Sequence, residues 1–143
     1  MIGLIISGHG NFASGFHTSL NLIAGEPNNV EFVDFESTDT IETLKEKYYN
    51  SLKKLNECDA ILALSDLAGG SPFKTLVEIK TEIEKPMEVI AGTNLAMLLE
   101  ISMTKDIMDD LSDLTQSAIE VGKNGVVKFE LVIHEDVECE DGI

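Results

Sequence analysis

Apolar residues follow two rhythms along this chain. Short unbroken runs at Ile2 to Ser7, Ala60 to Ser65 and Met87 to Ala91 carry the signature of strands buried on both faces, and Val30 to Phe35 is a further β-rich stretch. Between these runs the apolar residues recur at helical spacing. Phe12, Phe16, Leu20, Ile23 and Ala24 predict a first helix stopped by Gly25, and Ile41, Leu44, Tyr48, Leu52 and Leu55 a second within Thr38 to Asn56. Ser71 is expected as N-cap and Pro72 as N1 of a third helix through about Glu84. Leu95 to Met103 forms a fourth, and Ile107, Met108, Leu111, Leu114, Ala118 and Ile119 predict another amphipathic stretch ending near Gly122. Val126 to Ile133 is expected as the last strand, followed by a frayed acidic tail from Glu135 to Asp141.

Strands alternating with helices at this spacing predict an α/β fold: a doubly wound, mainly parallel sheet of flavodoxin-like order with helices on both faces. We expect one domain over residues 1–133 and an acidic C-terminal tail over 134–143, with no internal repeat or linker. In such sheets a ligand site forms beyond the carboxyl ends of the strands, where adjacent connections leave toward opposite faces. The loops after the first, third and fourth strands are therefore the places to search.

Those loops hold Ser7-Gly8-His9-Gly10-Asn11, Asp66-Leu67-Ala68-Gly69-Gly70-Ser71-Pro72 and Gly92-Thr93-Asn94. If the first and third strands are neighbours, His9 and Asp66 face each other across the switch point. Glycines on both sides of His9 leave its imidazole approachable by an incoming group, as a phosphoryl acceptor requires. A polar turn residue is the simpler reading of His9 taken alone. A carboxylate at Asp66 could bond one ring nitrogen, fix the tautomer and leave the other nitrogen as nucleophile; it could equally cap its own loop. Gly69, Gly70 and Ser71 lead into a helix start whose free amides and dipole favour an anion, although Ser-Pro also serves as a plain helix start. His17 and His134 lie in none of these loops.

Composition narrows the chemistry. With 26 acidic against 10 basic side chains the formal net charge is −16. That field repels phosphate backbones and anionic lipid, so no nucleic acid is expected as partner, whereas a partner with a basic docking face suits it. Cys58 and Cys139 are far apart and no ligand spacing suggests a metal, so we expect no metal, no cofactor and reduced thiols in a cytoplasmic protein. No apolar run approaches the ~20 residues of a membrane span, and the N-terminus lacks the basic region of a signal peptide. A nucleotide-binding P-loop and the G-x-G-x-x-G spacing are both absent, which disfavours an autonomous kinase or dehydrogenase.

At these residues the sequence resembles the mannose-family enzyme IIA domain of the bacterial phosphoenolpyruvate-dependent sugar phosphotransferase system. The likeness runs from Ile6-Ser7-Gly8-His9-Gly10 with Ala13-Ser14-Gly15, through Ile23-Ala24-Gly25 and Asp66-Leu67 with Gly69-Gly70-Ser71-Pro72, to Gly92-Thr93-Asn94-Leu95 and Met97-Leu98-Leu99-Glu100. The resemblance implies that His9 receives a phosphoryl group at Nε2 from the histidine phosphocarrier protein and passes it to an enzyme IIB component, with Asp66 as its hydrogen-bonding partner. It also implies a homodimer in which the C-terminal strand, Val126 to Ile133, is exchanged. The chain departs from the family at Phe73-Lys74, where Asn is common, and this segment with Phe12-Ala13-Ser14-Gly15 is more similar to branches serving galactosamine-type or uronic-acid-type sugars. Two other assignments compete: the phosphotransfer subunit of the dihydroxyacetone kinase system, and a noncatalytic regulatory sensor of phosphorylation.

Overall fold

In a computed structural model, which describes residues 1–133, four parallel strands form one sheet in the order β2-β1-β3-β4. These are β1 (Ile2–His9), β2 (Val30–Phe35), β3 (Ala60–Ser65) and β4 (Met87–Ile90), and they alternate with α1 (Phe12–Ala24), α2 (Ile41–Lys54), α3 (Ser71–Glu82) and α4 (Leu95–Thr104), then α5 (Leu111–Asn124). The flavodoxin-like order expected from the alternation is the one observed.

The two central strands are apolar on both faces because both faces are covered. Leu4, Ile6, Leu62 and Leu64 point into a core closed by α1, α4 and α5, which contribute Leu20, Leu98, Ile101 and Leu114. Ile5, Ile61 and Ala63 point the other way, against Leu44 and Tyr48 of α2 and Leu76 and Ile79 of α3. The connection after β1 therefore enters a helix on one face and the connection after β3 a helix on the other. This makes the gap between β1 and β3 the switch point.

At that end of the sheet the two central strands finish in serines in register, Ser7 opposite Ser65, both fully buried. Each hydroxyl donates outward to a neighbouring strand, Ser7 Oγ to the Val33 carbonyl at 2.8 Å and Ser65 Oγ to the Ile90 carbonyl at 3.0 Å. These bonds satisfy the hydroxyls and tie all four strand ends where the loops diverge.

One expectation, at the start of α3, is corrected, and the expected last strand does not form within a single chain. Ser71 is the first residue of α3 rather than its cap: the N-cap is Gly70, in an extended conformation without a side-chain bond, after a turn in which Gly69 takes φ +78°. Residues 126–133 form no strand within this chain, and Val126, Val127, Phe129, Leu131, Val132 and Ile133 are 62–82% exposed. The segment pairs with no strand of its own chain, and the sheet edges at β2 and β4 stay open among the described residues. The expected acidic tail, together with His134 and Cys139, lies outside the described residues.

Candidate functional site

His9 is the last residue of β1, and Asp66 follows the last residue of β3. Pairing of these strands brings the two together although 57 positions separate them. One carboxylate oxygen, Asp66 Oδ2, accepts from the His9 backbone N–H at 2.9 Å and lies 2.7 Å from ring Nδ1; the other, Oδ1, accepts from the Leu67 amide at 2.8 Å. Burial acts to raise the Asp66 pKa, but the bonds from the His9 amide, the His9 ring and the Leu67 amide outweigh it and hold the carboxyl below its ordinary value. An ionised carboxylate can only accept, so the shared hydrogen belongs to Nδ1 and the lone pair to Nε2.

The ring is held on its other sides as well. Phe35, the register partner of His9 on β2, meets it edge to face with centroids 5.8 Å apart. Immediately beyond His9, Gly10 turns at φ +59° and donates to the Phe35 carbonyl at 2.8 Å. Gly70 approaches so closely that a Cβ there would stand 2.9 Å from Cε1 and 3.6 Å from Nε2 of His9. Nε2 thus opens beside the first turn of α3, whose leading amides have no acceptor within the helix and carry its positive dipole end. The His9 side chain is 47% exposed, that of Asp66 15%. Nε2 is therefore accessible, with a largely covered carboxylate behind the ring and a helix start beside it.

The sequence grouped three loops, and the structure divides their roles. Gly69, Gly70 and Ser71 stand next to the ring, as expected. Gly92-Thr93-Asn94 instead backs Asp66: the Gly92 amide donates to the Asp66 carbonyl at 3.0 Å, and the Thr93 amide and hydroxyl both donate to the Ser65 carbonyl. Asn94 caps α4 through the Met97 amide and donates to the Gly122 carbonyl of α5. Lys74 is exposed, and its amide makes the first α3 bond, to the Gly70 carbonyl. His17 bonds Glu26 at 2.7 Å and stacks on Phe32, with no part in this cluster.

Sequence reasoning missed Phe35 and the buried Ser7–Tyr48 pair. Its one available signal was polar Ser7 inside an otherwise apolar buried run. Asp34 was also missed: its carboxylate accepts from the Ser14 amide at 2.9 Å and so caps α1, where the Asn11 side chain makes no capping bond. An open depression of about 470 Å³, lined by Gly10, Asn11, Glu36, Ser37 and Thr38, adjoins the His9 turn. Among the described residues no three potential metal ligands cluster, and no helix is long and apolar enough to cross a membrane.

Comparison with known proteins identifies the family. A family profile described as "PTS system fructose IIA component" matches residues 3–119. The fructose-specific EIIA component of Bacillus subtilis is 36% identical over 127 residues, which are 85% of this chain and 86% of that protein. The mannose-specific EIIAB component of Escherichia coli is 38% identical over 125 residues, 87% of this chain but 38% of that longer protein. The crystal structure of phosphotransferase system component EIIA from Streptococcus agalactiae matches with a TM-score of 0.81 at 30% identity, over 90% of this chain and 97% of that one.

Proposed function

The chain belongs to the mannose- and fructose-type IIA family of the phosphotransferase system, and from that membership we propose that it is a cytoplasmic phosphocarrier with a phosphohistidine intermediate at His9. The carrying observation is the 2.7 Å pairing of His9 Nδ1 with Asp66 Oδ2, which leaves Nε2 free beside the start of α3.

In the proposed reaction the Nε2 lone pair attacks the phosphorus of a phosphohistidine on the histidine phosphocarrier protein. The new N–P bond forms as the donor's N–P bond breaks, and the departing imidazole keeps that electron pair. Asp66 stabilises the positive charge that grows on the His9 ring, and the amides of Gly69 and Ser71 with the Ser71 hydroxyl bind the phosphoryl oxygens, while the Gly70 amide donates to the Leu67 carbonyl at 3.1 Å and shapes the turn. The second half-reaction is the same displacement in reverse, with an enzyme IIB component as acceptor. Exposure of the ring suits both steps, since each partner must bring a nitrogen or phosphorus within bonding range of Nε2. The acidic charge of the chain suits partners with basic docking faces.

The proposal includes a homodimer in which residues 126–133 of one chain add to an open sheet edge of the second. Six exposed apolar side chains in eight positions support it. The names of the relatives favour sugar transport over the dihydroxyacetone branch; they specify fructose and mannose rather than galactosamine-type or uronic-acid-type sugars. A IIA domain meets only protein partners, so its own site does not select the sugar.

The test is a chase. Chain labelled from phosphoenolpyruvate through the general components should lose its label to an added IIB domain. A chain that takes the label and keeps it is a sensor, and the carrier reading falls.

A further inference from the structure

We propose that Tyr48 is a positioning residue for phosphoryl transfer at His9, acting through its buried hydroxyl on the strand end that carries His9. The inference rests on the phosphocarrier reading above.

Tyr48 lies in the middle of α2, a helix that contributes no other group to the site, and it is fully buried. Its hydroxyl is 2.7 Å from Ser7 Oγ, two residues before His9 on β1. Ser7 gives its only hydrogen to the Val33 carbonyl at 2.8 Å, so Tyr48 is the donor toward Ser7. With that hydrogen given to Ser7, the Tyr48 oxygen is only in contact with the Pro72 carbonyl, 3.4 Å away in the first turn of α3. One oxygen thus lies between β1, which fixes the imidazole, and the helix start that borders Nε2.

Packing alone does not require that oxygen. The surroundings are Leu44, Ile61, Leu76 and Ile79, against which a phenylalanine ring would fit equally well. A hydroxyl costs free energy to bury unless it is bonded, and a bonded pair replaced on both sides by apolar groups is close to neutral for stability. Burial raises the phenol pKa far above its ordinary value, and the nearby Asp66 charge acts in the same direction, so Tyr48 stays a neutral donor at every working pH. The Ser7–Tyr48 pair therefore adds little to stability but fixes the end of β1 against α2, and with it the distance and angle at which the His9 ring is presented.

The experiment is single-turnover labelling of the full chain by phosphorylated histidine phosphocarrier protein, comparing wild type, Tyr48→Phe and the double variant Ser7→Ala/Tyr48→Phe. Both rate and final label per chain are recorded, with melting temperature in parallel. We expect both variants to melt near wild type and reach full label, with the first-order transfer rate at saturating donor about three- to tenfold lower and half-saturation unchanged, because Tyr48 does not touch the docking surface. Full label at the wild-type rate overturns the inference and leaves the phosphocarrier reading intact. Less final label at an unchanged rate also overturns it, since that marks a smaller folded fraction and a merely structural tyrosine. A wild type that takes no label removes the carrier reading, and this inference with it.

Discussion

Single atoms set the chemistry of this site, most clearly at Asp66, whose two oxygens accept three hydrogen bonds. An asparagine has only one acceptor oxygen. Turned toward His9, it presents its NH2 group to the Leu67 amide; turned toward Leu67, it presents that group to Nδ1 and forces the ring hydrogen onto Nε2, where it blocks the nucleophile. Asp66→Asn should therefore fold but transfer phosphoryl more slowly. Bonds to a charged group contribute about 1.5–3 kcal/mol, so the loss in rapid-quench kinetics should be roughly ten- to a hundredfold. Because the Asp66 pKa is lowered in the folded chain, its contribution to stability is complete above the ordinary carboxylate value of about 3.9 and disappears as pH falls through the lower folded value. The difference in urea stability between wild type and Asp66→Asn should shrink as pH falls below about 4; a difference undiminished at pH 2 would contradict the pairing. His9, Asp66 and the glycines were legible in sequence because each is chemically unusual in its loop. Tyr48 was not, since an α2 residue at helical spacing gives the same pattern whether its hydroxyl is used or not, and Phe35 reached the ring only through strand register.

A close contact between elements explains why Gly8 stands where it does. A Cβ on Gly8 would lie 2.5–2.8 Å from the Phe12 ring and its Cβ, so α1 can seat against β1 only over a glycine. Gly8→Ala should destabilise the chain by about 1–3 kcal/mol through displacement of α1, measured as a lower urea midpoint; an unchanged midpoint would show that α1 moves freely. Most elements were readable from sequence because helical spacing and apolar runs are local properties. Their ends were less so. The α3 start depends on the turn that Gly69 makes at φ +78°, and that conformation moves the cap from Ser71 to Gly70. Residues 126–133 have strand composition without being a strand here, since strand formation belongs to a pair of segments and composition describes one.

At the scale of the whole molecule, the features that bear on the proposed contacts with other proteins are the exposed apolar stretch over 126–133 and the −16 charge. Light scattering at micromolar concentration should give twice the chain mass, and truncation before Val126 should lower it to one; a full-length monomer that remains active would exclude strand exchange. Labelling by the phosphocarrier protein should slow as salt rises, because screening weakens attraction between an acidic body and a basic docking face. Fold class and the opposed positions of His9 and Asp66 could be anticipated from strand order, whereas the number of chains could not be read from residues that lack a partner inside one. The most direct test of the central claim is to map the acid-labile, base-stable label formed from phosphoenolpyruvate and the general components on wild type, His9→Ala, His17→Ala and His134→Ala. The account predicts full labelling of all but His9→Ala, which takes none; a His9→Ala chain that labels normally, with loss of label in either of the other two variants, would contradict it.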